Sequence, residues 1–155
     1  MSFENVRKLL RDNNLEERIV EFEKSSETVE LAAENIGCST SQIAKTITFY
    51  NKDGNAILIV LNGDYKVDNK KFKEYFKMKP KMIKREEVEI LTSHAPGGVC
   101  PFAVNENAKV YLDISLKENG EIYPAGGSIN SVVKLSIEEL EKLSNFIEWI
   151  EIGKK

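Results

Sequence analysis

Cysteine, histidine and tryptophan are scarce in this 155-residue chain: two, one and one. Cys38 and Cys100 are widely separated and share no metal-ligand spacing with His94. That argues against a disulfide framework and against a zinc site, and makes a reducing cytoplasm the expected location. No apolar run approaches the ~18 residues of a membrane span, and Met1-Ser2-Phe3-Glu4-Asn5 lacks the charged-then-apolar order of a signal peptide. Neither charge sign dominates, since 22 Lys+Arg face 25 Asp+Glu, and a hydrophobic content of 41% is that of ordinary globular proteins. No linker divides the chain, so its length predicts a single domain over residues 1–155 with one sizeable core.

What is present is concentrated. Ser93-His94-Ala95-Pro96-Gly97-Gly98-Val99-Cys100-Pro101-Phe102 holds the only histidine, one of the two cysteines, a double glycine and two of the four prolines. Glycine lets a backbone approach a ligand without a Cβ in the way, and proline fixes φ. Gly97 to Pro101 therefore reads as a rigid loop that presents its own N–H groups, suited to an anion or an oxyanion. The same residues also fit a tight loop between two strands.

Charge is concentrated as well. From Lys66 to Arg85 there are nine basic and two acidic residues, a local net charge of +7, which leaves −10 on the rest of a chain whose total is −3. Such an island suits a protein that meets phosphates on one face and repels them elsewhere. A solvated lysine face on a surface helix has the same composition.

Hydrophobic spacing predicts a helix near Phe3 to Arg11 with Phe3, Val6 and Leu10 on one face, and a strand at Ile19 to Phe22. Thr28 opens a helix that stops at Gly37, and Ser39 with Gln42 forms a capping box for a second short helix leading into Ile43, Ala44 and Lys45. Thr46 to Tyr50 and Ala56 to Leu61 read as a hairpin around Asn51-Lys52-Asp53-Gly54-Asn55; the second run has no polar alternation, as a doubly covered strand requires. Asp68 caps a helix with Phe72, Tyr75 and Phe76 inward and Lys70, Lys71, Lys73 and Lys77 largely outward. A short strand at Lys81 to Lys84, a helix at Glu86 to Leu91, and strands at Lys109 to Ile114, Glu121 to Tyr123 and Val132 to Leu135 follow. Ser136 and Glu139 form a second capping box, opening a helix with Ile137, Leu140 and Leu143 inward. Short hairpin connections predict an α+β fold with a mixed, mostly antiparallel sheet and surrounding helices.

Three separated segments carry a family resemblance. Thr28-Val29-Glu30-Leu31-Ala32-Ala33 through Gln42-Ile43-Ala44-Lys45-Thr46, then Pro96 to Phe102, then Tyr123-Pro124-Ala125-Gly126-Gly127 with Leu135 to Leu140, occur in the order of the YbaK/ProX family. The similarity spans about residues 18 to 145. These are aminoacyl-tRNA deacylases related to the editing domain of bacterial prolyl-tRNA synthetases. The resemblance implies a barrel-like sheet and hydrolysis, in trans, of misacylated tRNA, the expected case being tRNA(Pro) carrying a small amino acid such as cysteine or alanine. It implies misacylated tRNA as partner, with a synthetase as a second candidate, and no cofactor or metal. A non-catalytic domain that binds tRNA or a synthetase is the alternative.

By the same resemblance Lys45 matches the family's lysine, and Gly97, Gly98, Val99, Cys100 and Pro101 match its glycine-x-x-x-proline loop. An aminoacyl ester is already activated, so the site must mainly hold the 3′ end, stabilise an oxyanion and admit water. Amides near Gly98 and Val99 suit the oxyanion, and Lys45 suits the terminal phosphate or the ester carbonyl. Cys100 is expected to line the pocket rather than attack, because a thiol nucleophile needs a paired base. His94, Phe102, Gly126, Gly127, Ser128 and Asn130 are candidates for substrate contact, and Lys70, Lys71, Lys73 and Lys77 for tRNA. Many family members have glycine where this chain has Ser93 and Ala103, so the loop is expected to be shaped differently at those points.

Overall fold

Val6 and Leu10, four residues apart, fall on one face of the first helix, α1 (Ser2–Asp12), and both are fully buried. The structure is a computed structural model that describes residues 2–155. After β1 (Ile19–Glu21), the Thr28 hydroxyl accepts the Leu31 N–H at 3.1 Å to start α2 (Val29–Ile36), which Gly37 ends in the left-handed region at φ +83°. The Ser39–Gln42 capping box forms but opens only one 3₁₀ turn, Thr40–Gln42. The strand therefore begins at Ile43, and Lys45 is a strand residue rather than a helix-end one.

That strand, β2 (Ile43–Tyr50), turns into β3 (Ala56–Asn62) through a loop in which the Asn51 side-chain oxygen accepts the amides of Asp53 and Asn55, with Gly54 at φ +82°. All seven residues of β3 are buried. Its alternate side chains divide between two cores: Ala56, Leu58 and Val60 on one face, Ile57, Ile59 and Leu61 on the other. The chain continues through β4 (Lys66–Val67), α3 (Asn69–Phe76), α4 (Arg85–Thr92), β5 (Lys109–Asp113), a 3₁₀ turn at Ile114–Glu118, β6 (Glu121–Pro124), β7 (Ser131–Val133), β8 (Leu135–Ser136), α5 (Ile137–Ser144), β9 (Trp149–Ile150) and β10 (Gly153–Lys154).

The fold is mixed α+β, with a curled half-barrel sheet in the order β8-β6-β2-β3-β5-β9 and two small antiparallel pairs, β1 with β7 and β4 with β10. Within the large sheet β2–β3 and β6–β8 are antiparallel, whereas β2–β6, β3–β5 and β5–β9 are parallel. Short loops foretell only the hairpin; the parallel pairs come from long excursions such as β3 to β5, which carries two helices. Lys81 to Lys84 is not a full strand. It lies against the end of β2 through one bridge, Met82 to Phe49, with Tyr50 N–H donating to Lys81 O and Ile83 N–H to Thr48 O. The run Val132 to Leu135 is split between β7 and β8, which pair with β1 and β6 respectively. In α3, Phe72 is fully buried, but Tyr75 is 38% exposed and packs edge-on against Phe76 and Tyr111 instead of entering the core.

Candidate active site

Ala95 to Gly98 folds as a tight turn with Pro96 and Gly97 at its centre. Gly97 lies at φ +88°, and the Gly98 N–H donates to Ala95 O at 3.0 Å. Proline first and a positive-φ glycine second is the signature of a type II turn. The turn uses the Gly98 amide internally, so that amide does not serve as an oxyanion donor. The Val99 amide is different: it has no hydrogen-bond partner among the described residues. Pro96, Gly97 and Val99 form one wall of a cavity of about 450 Å³.

Lys45 belongs to the same cavity. Its ammonium donates to Gly63 O at 3.3 Å. Partial burial pushes its pKa below the usual lysine value, while the nearby Glu30 and Asp64 carboxylates pull in the opposite direction. Small residues, Ala32, Ala44 and Ala125, pave part of the wall. Among the polar contributors that escape sequence reading are Glu27, Thr48 and Arg85. Glu27 precedes a helix cap and Arg85 sits in a lysine-rich run, so neither has a local signal; only packing brings them to the cavity. Glu27 lies so close to Gly97 that a Cβ there would meet its Oε2 at 2.7 Å, which makes the glycine a requirement of the contact as well as of the turn.

The other half of the loop turns inward. His94, Cys100 and Phe102, expected in substrate contact or chemistry, are fully buried and form no part of the cavity wall. The His94 Nε2 is 2.7 Å from Phe102 O and 3.5 Å from Cys100 Sγ. With a carbonyl as its partner, Nε2 carries the proton; Nδ1 is buried with no partner among the described residues. Burial lowers the His94 pKa and pushes the Cys100 thiol up to about 12, so no thiolate is available for attack. Pro101 is likewise buried.

Gly126, Gly127, Ser128 and Asn130 also stand behind the wall rather than on it. A Cβ on Gly98 would lie 2.8 Å from the Ser128 carbonyl carbon, so the two loops touch backbone to backbone. Ser128 spends its hydroxyl on Asn130 and Ser131, Asn130 donates to Phe22 O at 2.8 Å, and α1 clamps the far side through Ser2 Oγ to Gly127 O. These polar groups are engaged within the protein, and their position makes them a support for Gly98. Lys70, Lys71, Lys73 and Lys77 are also away from the cavity: α3 contributes nothing to its wall, and Lys71 reaches Gly153 O instead. Among the described residues no group of His, Cys, Asp or Glu side chains is arranged to hold a metal ion, and no helix is long and apolar enough to cross a membrane.

Comparison with known proteins resolves the family. Residues 23–143 match the model of the aminoacyl-tRNA editing domain. The chain belongs to that family. YwhH of Bacillus subtilis, an uncharacterized protein, is 45% identical over 154 residues, covering 99% of this chain and 98% of that one. EbsC of Enterococcus faecalis, described as a candidate Cys-tRNA(Pro)/Cys-tRNA(Cys) deacylase, is 25% identical over 91% of this chain and 88% of its own. A solved structure described as a candidate trans-editing enzyme for prolyl-tRNA synthetase superposes with a TM-score of 0.87 at 27% identity, covering 99% of this chain and 98% of that one. Lys45, Pro96, Gly97 and Val99 all fall inside the segment matched to the editing domain.

Proposed function

We propose that this editing-domain protein hydrolyses the ester of misacylated tRNA in trans, acting in the cytoplasm, and that its substrate is tRNA(Pro) carrying a small amino acid such as cysteine or alanine. One observation carries the reading: Lys45 and Val99, whose amide has no hydrogen-bond partner among the described residues, line one cavity whose wall is partly paved by alanines. In the proposed complex the Val99 N–H meets the oxyanion that develops as water adds to the ester carbonyl, and the Lys45 ammonium neutralises charge at the ester or at the terminal phosphate. Glu27 takes the substrate's α-ammonium, the one cation an aminoacyl ester must bring. Cys100 is a packing residue in this mechanism, so water is the nucleophile and no covalent protein intermediate forms.

The preference for a small amino acid is supported by the family and by the relative described as a candidate Cys-tRNA(Pro)/Cys-tRNA(Cys) deacylase. The family suggests a prolyl-tRNA synthetase as a further partner, to which the deacylated tRNA would be returned after editing.

A panel of mischarged tRNAs incubated with the purified protein tests the reading. The expected result is rapid loss of the ester from small-amino-acid substrates, abolished or strongly reduced in Lys45→Ala. Tight tRNA binding without turnover on any member of the panel would instead support a non-catalytic binding domain.

A further inference from the structure

The basic island of the sequence comes apart in three dimensions. Lys70, Lys71 and Lys73 ride on α3, whose Phe72 and Phe76 pack into the core face built by Phe49, Ile57, Ile59 and Leu61. Lys81, Lys84 and Arg85 belong to the segment laid along the end of β2. That segment is a partition. Met82, Ile83 and Arg85 line the cavity described above, whereas Lys81 and Lys84 line a second, open cavity of about 440 Å³ together with Tyr50, Asn51 and Lys52.

The partition is held firmly. Tyr50 N–H donates to Lys81 O at 2.9 Å and Lys84 N–H donates to the Tyr50 hydroxyl at 3.1 Å. The Lys81 ammonium lies 5.5 Å from the centre of the Tyr50 ring. Glu87, the acidic residue of this groove, is engaged by the Tyr50 hydroxyl at 2.5 Å. Lys52, Lys81 and Lys84 form no ion pair among the described residues, in contrast to Arg7, Arg11 and Arg18, which all face glutamates. Three exposed ammonium groups without an ion-pair partner among the described residues, set around an open groove, recognise phosphate as point charges, without reading bases.

The cavity is polarised around its mouth. Glu27 stands on the wall beside Gly97, and Glu30 and Asp64 are near enough to act on Lys45. Those carboxylates repel a polyanion, whereas the Met82–Arg85 side attracts one. Met82, 63% exposed on the crest between groove and cavity, offers an apolar contact to a base crossing from one to the other.

Building on the deacylase reading, we infer that the groove of Lys52, Lys81 and Lys84, continued by Arg85 into the cavity, carries the sugar–phosphate backbone of the tRNA acceptor end. The α3 lysines lie off this path. The direction in which the acceptor stem leaves the site is thereby set by the segment 81–85 rather than by α3.

The experiment compares K81E/K84E with K70E/K73E, two reversals of equal charge, on misacylated tRNA and on the matching aminoacyl-adenosine, with thermal melting to check folding. K81E/K84E is expected to lower kcat/KM on tRNA at least tenfold more than on aminoacyl-adenosine, and to flatten the dependence of log kcat/KM on log salt by about two. Equal losses in the two double variants, or a larger loss in K70E/K73E, would overturn the assignment, as would an unaltered salt slope in K81E/K84E. If wild-type protein cleaves neither substrate, the deacylase reading fails by itself. Affinity for uncharged tRNA, read by fluorescence anisotropy in the same variants, then decides the groove, with selective weakening in K81E/K84E supporting it and parity with K70E/K73E rejecting it.

Discussion

Two halves of one loop, Pro96 to Val99 at the cavity and His94 with Cys100 to Phe102 beneath it, are adjacent in sequence and opposite in environment. The outer half offers backbone: a turn made by Pro96 and Gly97, then an amide at Val99 with no internal partner. The inner half offers side chains, all fully buried, tied together by His94 Nε2 and Phe102 O. The chemically conspicuous groups, imidazole and thiol, are on the inner side, and the residues that border the cavity are on the outer side. An ester needs only a charge and an amide in place, and a loop can supply the amide accurately only if its own base is rigid.

The largest effect that sharpens this comparison is on stability. Phe102→Ala removes a fully buried ring and is expected to cost about 3–5 kcal/mol, measured by denaturant unfolding. Val99→Ala, at a partly buried position, should cost far less and leave kcat/KM within a few-fold, because it keeps the backbone amide. Comparable stability losses in both variants would break the distinction.

Next comes the charge across the cavity. Lys45→Ala is expected to lower kcat/KM at least tenfold, about 1.4 kcal/mol of barrier, with the melting temperature kept or slightly raised because a partly buried ammonium is costly. Wild-type turnover in this variant would remove Lys45 from the mechanism. Cys100→Ser, by contrast, is expected to retain most of the turnover per folded molecule while losing stability, and a trapped aminoacyl-protein would contradict the assignment of Cys100 to packing.

A smaller effect follows from His94. Its pKa is lowered by burial, and protonation would place an N–H at Nδ1, where no acceptor is available among the described residues. The unfolded chain takes up a proton near the ordinary value of about 6.5, the folded one only at lower pH, so stability is retained above that value and declines as pH falls below it. His94→Gln should flatten this slope in urea midpoints measured across that range. An unchanged slope would assign the acid sensitivity to carboxylates.

The smallest effect lies at the ends of the loop. Ser93 at φ +74° and Ala103 at φ +50° both occupy the left-handed region, at the two positions where the family resemblance led one to expect glycine. The loop keeps the backbone shape that glycine would adopt and bears the strain. Ser93→Gly and Ala103→Gly are each expected to stabilise by up to about 1 kcal/mol in chemical denaturation. A loss of stability in both would mean that their side chains contribute more than the strain costs.

Much of the architecture was legible because its signals are local. Thr28 and Gly37 bound α2, Asp68 caps α3, Ser136 and Glu139 close a capping box, and six of the seven buried residues of β3, Ala56 to Leu61, appear as an unbroken apolar run. Lys45 and the glycine loop were legible through motif order. Glu27 was not, because its meeting with Gly97 joins segments seventy residues apart, and no periodicity encodes that. His94, Cys100, Ser128 and Asn130 lie off the cavity for a common reason: residue type announces chemistry, but only packing shows whether a polar group is already spent on a neighbour.

By itself the sequence determined the elements, their caps, the two-core character of β3 and the presence of a cationic stretch, since each depends on neighbours a few residues away. The tertiary structure decided which face of the 93–103 loop meets the cavity, which lysines border it and which strands run parallel. Those outcomes depend on long-range packing, where a side chain's surroundings come from distant segments and its position in the chain no longer dictates its environment.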